Sequence, residues 1–440
     1  MKDLLPFSSR LGYGIADFGQ NIIFQATGYY LLFFYTDVFL IDAAFAGSLF
    51  LIARIWDGIN DPIMGHLAQR TRTRWGSYRP YLLFASLPLA VSMILLFYAP
   101  ELPQSGKLVY AAVTYIFFGM AFTAYNVPYG TLTAVMTNDY NERSRLTGYR
   151  MTFAMLGGLV AAVFMLQLVD YFGGGKEGFL WTASGFAVII LATNLTGFFT
   201  TKEKAVIQET SRANLRESFQ TLKKNRPFWL LCLAFGCCFA ALGVYSASAA
   251  YFYQYYMGDT SLTMTALLIM MGTTGITVPF WAWYAQRVGK RKAFLRGTVF
   301  YIVAFFLMIF IQPDQMHLMY PLLFIQGIGN GSAAFASWAM LPDTIEYGQW
   351  KTGERIAGIS YGIFGFCFKL GLGLGAGMTG LILAGLGYQP GMIQSETVLW
   401  GIRMLMTFSP LILVVIAFLA VFNYEITPQL HEVIVGKLEE

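Results

Sequence analysis

Charge is what this chain has least of: Asp, Glu, Lys and Arg together make 12% of its 440 residues, about half the share usual in a globular protein. Recognisable catalytic vocabulary is missing as well. No HExxH, CxxC, GxSxG or Walker-type pattern occurs, so no enzymatic apparatus and no resident cofactor are expected. His66, His317 and His431 are scattered and are not expected to build a metal site. Cys232, Cys237, Cys238 and Cys367 all fall in apolar stretches without ligand-like spacing, which points to buried structural thiols and no disulfide framework. Residues 1–10 are too short and too weakly apolar for a cleavable signal, and the stretch that follows is too long for a signal h-region, so it is expected to stay as the first helix. The glycine run Gly371, Gly373, Gly375 and Gly377 lacks the GKS or GKT ending of a phosphate loop. Inside an apolar stretch, glycines at that spacing permit close helix contact instead.

What the chain has is apolar length. It is 56% hydrophobic and 17% aromatic, and polar breaks divide it into twelve stretches near residues 11–37, 43–69, 78–99, 107–136, 145–170, 178–200, 227–257, 262–286, 293–312, 317–342, 356–386 and 397–423. These are far longer than barrel strands, so the fold class is an all-α integral membrane protein of twelve transmembrane helices. Basic residues test the layout independently. Of 29 Lys and Arg, 23 lie in even-numbered connections and the two tails, two (Lys107 and Lys176) in odd-numbered connections, and four (Arg54, Arg150, Lys369 and Arg403) within spans. Both termini are therefore expected in the cytoplasm. The net charge of +5 reflects that orientation, and no nucleic-acid partner is needed to explain it.

The longest polar connection, residues 201–226, separates six spans from six. The expected organisation is a six-helix bundle over 1–200, a central cytoplasmic loop over 201–226, a second bundle over 227–423 and a cytoplasmic tail over 424–440. Weak internal correspondence supports a duplication: GHLAQRTRTRWGSYRP after span two resembles YAQRVGKRKAF after span eight, and MTNDYNERSRLTG after span four resembles LPDTIEYGQWKTGERIAG after span ten. A parallel duplication of this kind resembles the major facilitator fold and implies substrate binding near the bilayer midplane with alternating access.

Seven charged residues interrupt the spans: Asp17, Arg54, Asp57, Asp61, Arg150, Lys369 and Arg403. Each costs about 2.5–3.5 kcal/mol at a helix centre, so residues of this kind are paired, hydrated or used. Arg54, Asp57 and Asp61 share one helical face, with Asn60 beside it. Two carboxylates, the Asn60 amide oxygen and a hydroxyl such as Thr123 would form an all-oxygen site for a small hard cation, Na+ if the coupling is to sodium. An internal Arg54–Asp salt bridge is the rival reading, but one arginine cannot neutralise both carboxylates. A single desolvated Asp would instead carry a proton.

Lys369 sits mid-span, too far from either end to snorkel, and needs a buried partner or an anionic ligand. Arg150, near a span end, is read either as a cavity residue or as a snorkelling one. Asp17 is read as a helix-packing carboxylate and Arg403 as a structural or interfacial cation. Gln20, Asn21 and Asn126, with the aromatic residues Tyr29, Tyr30, Tyr125, Tyr129, Trp338 and Trp350, could bond hydroxyls and stack on an apolar ring face, a combination that suits a sugar.

At YTDVF (35–39), ARIWDGINDPIMG (53–65), RTRWGSYRP (72–80), NVPYGTL (126–132), DTIEYGQWKTGERIAGISY (343–361) and Lys369, the chain resembles the glycoside-pentoside-hexuronide:cation symporter family, which includes the melibiose permeases and glucuronide carriers. The resemblance implies a cation site at Asp57, Asn60, Asp61 and Thr123, and sugar-binding positions at or near Asn21, Asn126, Arg150, Trp338 and Lys369. Melibiose permeases carry Lys-Asp where this chain has Gln20-Asn21, Asp at Asn126 and Trp at Gly130, which argues against an α-galactoside. Fewer carboxylates beside Arg150 and Lys369 imply a more positive sugar end, suited to a uronate.

The sequence thus points to secondary active import of a glycoside, a glucuronide or related hexuronide first, driven by Na+ or H+ in a bacterial-type inner membrane. The expected partners are the glycoside, a monovalent cation and the lipid bilayer, with no obligate protein partner. Alternatives are a neutral pentoside or xyloside symporter, a lysolipid symporter, and a membrane sugar sensor that does not transport.

Overall fold

The computed structural model describes residues 5–137, 140–203, 222–259, 262–353 and 357–439. Among them the chain is helical and has no strand, with one isolated bridge between Thr73 and Gly76. Hydrocarbon dictates this. Without water at that depth each spanning segment must satisfy its own N–H and C=O groups, and a helix does so internally.

The chain divides into two compact units, Met1–Glu209 with Gln389–Met392, and Thr210–Tyr388 with Ile393–Glu440. The first contains α1 (Phe7–Phe33), α2 (Ala43–Arg70), α3 (Arg79–Phe84), α4 (Ser86–Leu96), α5 (Gln104–Met136), α6 (Tyr140–Tyr171) and α7 (Gly175–Thr200). Helix α1 packs on α6 and α7, α4 on α5 and α7, and α2 on α5. The second contains α8 (Arg226–Tyr251), α9 (Leu262–Val288), α10 (Lys290–Met308), α11 (Met316–Thr352), α12 (Ala357–Gly385), α13 (Glu396–Met406), α14 (Phe408–Phe422) and α15 (Pro428–Glu439). Here α8 packs on α12 and α14, and α11 on α9 and α10. Residues 204–221, most of the expected 201–226 connection, lie outside the described residues.

Every expected stretch is helical, and among the described residues eight helical segments are long and apolar enough to cross a membrane. Helix α2 has the length too, but Arg54, Asp57 and Asp61 interrupt its apolar run. Three details differ from the expected layout. The stretch near 78–99 breaks at Ala85 and the one near 397–423 at Thr407, while the stretch near 317–342 continues as helix to Thr352. It stops where Gly353 takes a left-handed conformation (φ 75°), the cap that glycine adopts without strain. The tail is also helical: Leu430, Ile434 and Leu438, spaced four apart, pack on the second unit's apolar core.

Side chains set the helix starts. Asp42 Oδ1 accepts from the N–H groups of Ala44 (2.9 Å) and Phe45 (3.1 Å) at α2, and Asn225 Oδ1 accepts from Phe228 N–H (3.2 Å) at α8. The turn before α3 is held from a distance. Glu203 accepts from the N–H groups of Ser77, Tyr78 and Arg79 at 2.8–2.9 Å, and its carboxylate occupies the space a Cβ on Gly76 (φ 109°) would need. Glu142 does similar work near the N-terminus, accepting from Arg10 Nε (2.9 Å) and from Arg145 Nη1 (2.9 Å).

Candidate functional site

Helix α2 presents Asp57 and Asp61 one turn apart, and α5 faces them with Gly119 and Thr123, also one turn apart. The Thr123 hydroxyl donates to Asp61 Oδ1 at 2.8 Å. A Cβ on Gly119 would lie 3.3 Å from Asp57 Oδ1, so the missing side chain leaves room for that carboxylate. Asp57 is 7% exposed, and Asn60 and Asp61 are half-buried. The Arg54 side chain, the fourth member of the expected face, lies outside the described residues. Carboxylate, amide and hydroxyl oxygens are the donors hard cations take, and burial raises the cost of leaving both carboxylates uncompensated.

A second polar centre joins α1 to α6. Arg150 Nε donates to Asp17 Oδ2 at 3.1 Å, and the Asp17 side chain is 4% exposed. The guanidinium lies over the Tyr129 ring, 5.2 Å from its centroid. Tyr129 stacks on Tyr13 (4.6 Å) and donates its hydroxyl hydrogen bond to the Tyr13 carbonyl at 2.7 Å. Arg150 therefore does not snorkel; an ion pair and a ring hold it. Gly130, where melibiose permeases carry Trp, lies beside it, since a Cβ there would stand 3.9 Å from Arg150 Nη1.

The remaining expected sugar positions fall in different surroundings. Gln20 is 1% exposed and donates to Asn194 Oδ1 of α7 at 3.0 Å, so it is engaged within the bundle. Asn21 donates to the Asp17 backbone carbonyl at 2.9 Å, and Asn126 is half-buried on α5. Tyr29, Tyr30, Tyr125 and Tyr129 are buried; Tyr30 donates to the Ala162 carbonyl and Tyr125 to that of Asn194 (3.4 Å). They are packing residues. In the second unit, Trp338 is 47% exposed and sits edge-on to Phe235 (5.3 Å) and Phe364 (5.2 Å), while Lys369 is half-buried on α12. Trp350 packs near Tyr347 (5.8 Å) and under Lys437. Arg403 is structural, donating to the Ile309 carbonyl with its guanidinium over the Tyr256 ring.

Sequence reasoning missed Gly119 and Asn194. Their signal was faint: Gly119 precedes Thr123 by one turn, as Asp57 precedes Asp61, but nothing in sequence says which α5 face meets α2.

The sequence model for MFS/sugar transport protein matches residues 12–428. The chain belongs to that family. It is 34% identical over 435 residues to "Uncharacterized symporter YnaJ" of Bacillus subtilis, covering 98% of this chain and 94% of the relative. To an isoprimeverose transporter of Lactiplantibacillus pentosus it is 32% identical, covering 97% and 90%. To a glucuronide carrier protein homolog of Escherichia coli it is 29% identical, covering 100% and 97%. A bacterial homolog of the human lysosomal transporter Spinster, solved inward-facing and unoccupied, shares the fold with a TM-score of 0.65 at 13% identity, covering 96% of this chain and 98% of that one. The protein is thus a multi-pass inner-membrane transporter and not an enzyme.

Proposed function

We propose that the protein is a cation-coupled symporter that imports a glycoside, with Asp57, Asn60, Asp61 and Thr123 as the cation site. One observation carries this: two carboxylates a turn apart on α2 face a hydroxyl and a glycine a turn apart on α5, with Thr123 already bonded to Asp61. A monovalent cation there cancels charge that is costly to seal from water, so sugar binds more tightly to the cation-loaded form, and cation to the sugar-loaded form by the same factor. Relatives named as symporters support the coupling.

For the sugar, the Asp17–Arg150 ion pair changes the weighting. The preference for a uronate rested on fewer carboxylates near Arg150 and Lys369, and Arg150 is paired with Asp17. We therefore put a neutral pentose-containing glycoside first, in line with the isoprimeverose relative. A hexuronide is second, on the strength of Lys369 and the glucuronide carrier homolog. The two differ in energetics. A neutral sugar moving with one cation carries one net charge, and 100 mV then supplies about 2.3 kcal/mol, roughly fifty-fold accumulation. A uronate with one cation is electroneutral and gains nothing from the potential.

The deciding experiment is uptake of radiolabelled neutral pentosides and glucuronides into proteoliposomes under separately imposed Na+ and H+ gradients. Asp61→Asn is expected to abolish cation-stimulated uptake while the protein still inserts and folds; full cation dependence in that variant would reject the site. Potential-driven uptake of a pentoside supports the first substrate reading, and uptake of the glucuronide alone replaces it with the second.

A further inference from the structure

A second cluster of metal-ligating side chains lies in the second unit, remote in sequence from the residues above and at the end where the basic connection Arg287–Arg291 runs. Asp343 and Glu346 stand one turn apart on α11, and His431 comes from the tail helix α15. Each offers one ligand atom, and the three atoms lie within 4.8 Å of one another. His431 Nε2 is 2.6 Å from Glu346 Oε2 and 3.6 Å from Asp343 Oδ1. In sequence His431 is a lone histidine, because its partners lie more than eighty residues earlier and meet it only when α15 docks on α11.

A second, independent observation points to a ligand. Beside the cluster is a cavity of about 250 Å³ whose lining includes Asp343, His431, Glu432 and Tyr424 and the cations Arg287, Lys290 and Arg291. Tyr424 is 1% exposed, and its hydroxyl has no hydrogen-bond partner among the described residues. A buried hydroxyl left unmatched is costly, so the site carries an unmet demand for a polar occupant next to three convergent donors. A metal-bound water would meet it.

We propose that Asp343, Glu346 and His431 bind a divalent transition metal of the Zn2+ class, with a water at the fourth position bonded to the Tyr424 hydroxyl. One imidazole and two carboxylates form a borderline donor set: the imidazole favours Zn2+, Co2+ or Ni2+ over Mg2+ and Ca2+, and three protein ligands plus water is a common zinc arrangement. Two adjustments follow. Tetrahedral ligands about 2.0–2.1 Å from zinc stand roughly 3.3 Å apart, so the His431–Glu346 contact must open slightly. Lys290, whose Nζ lies 2.6 Å from Asp343 Oδ1, must yield that oxygen to the metal; its side chain is 37% exposed and flexible enough to swing into water. Because two ligands sit on α11 and the third on α15, bound metal would pin the tail helix to the bundle.

The test uses the full-length protein in detergent, stripped with a chelator and titrated with Zn2+ alone in competition with a chromophoric chelator. One equivalent per chain is expected. His431→Ala and Asp343→Asn should each weaken binding at least tenfold, and Tyr424→Phe about threefold. Co2+ in place of Zn2+ should give tetrahedral visible absorption that His431→Ala removes. Since Asp343→Asn also breaks the Lys290 pair, Glu346→Gln serves as the second variant, with melting temperature as the control for folding: Zn2+ should raise it in the wild type and not in Glu346→Gln or His431→Ala. The absence of a stoichiometric site, or Zn2+ binding unchanged in both His431→Ala and Glu346→Gln, would overturn the proposal and leave the cluster a set of ion pairs.

Discussion

The two compact units carry the same backbone device and fill it with opposite chemistry. Helix α1 ends in a π turn at Phe34–Val38 and α8 in one at Phe252–Tyr256. In the first, the N–H groups of Phe39 and Ile41 return to the carbonyls of Phe34 and Tyr35; in the second, those of Met257 and Asp259 return to Phe252 and Tyr253, at the same spacings. Counted back from these turns, Phe18 matches Gly236. Gly157 of α6 closes on the Phe18 carbonyl, and Gly371 of α12 closes on the Gly236 carbonyl. In that register Asp17 matches Phe235 and Arg150 matches Phe364. Where the first unit has the Asp17–Arg150 ion pair at 3.1 Å, the second has two phenylalanine rings stacked 3.8 Å apart at 11°. The two units share these helix contacts and differ in chemistry: the first has paired charges at this crossing, the second an apolar stack.

The comparison breaks most readily at the ion pair. Arg150→Ala leaves the Asp17 carboxylate buried without its cation, and a loss of about 3–5 kcal/mol is expected. Asp17→Leu with Arg150→Met, which makes this crossing apolar like its counterpart, should recover most of that loss. Thermal unfolding of the detergent-solubilised variants measures both. If the double variant is as unstable as the single one, the two crossings are not interchangeable and Arg150 has further structural partners.

The close helix contacts should fail alike in both units. Gly157→Leu pushes a side chain into the Phe18 backbone and Gly371→Leu into that of Gly236. Each should cost about 1–3 kcal/mol, more if the helices cannot separate. Unequal losses would show that one crossing is looser than its twin. Next comes the anchor before α3. Glu203→Ala leaves three N–H groups to water, which should cost about 1–2 kcal/mol and speed hydrogen exchange at Ser77, Tyr78 and Arg79 while α5 is unaffected.

The helix layout was legible because apolar length and basic connections are periodic, additive signals. Asp57 and Asp61 were legible because charge inside an apolar run is rare and spacing alone puts them on one face. Partners from other helices were mostly not. Thr123 was one candidate hydroxyl that the family resemblance then singled out, and nothing local foretold that Gln20 would meet Asn194, that Arg150 would meet Asp17, or that His431 would dock beside Asp343. The helical tail was missed for a related reason: its apolar stripe of Leu430, Ile434 and Leu438 is short, and only packing against the second unit's core makes it a helix.

The smallest expected effect is also the most local. Thr123→Val removes one hydroxyl from Asp61 and keeps the shape of the side chain, so the α2–α5 packing should survive. If Thr123 is a cation ligand, the apparent cation affinity for uptake should fall about five- to ten-fold, near 1 kcal/mol, with sugar affinity at saturating cation nearly unchanged. Thr123→Ser, which restores the oxygen, should return most of the loss. A valine variant with unaltered cation affinity would leave Asp61 bonded to Thr123 for packing alone and confine the cation site to α2.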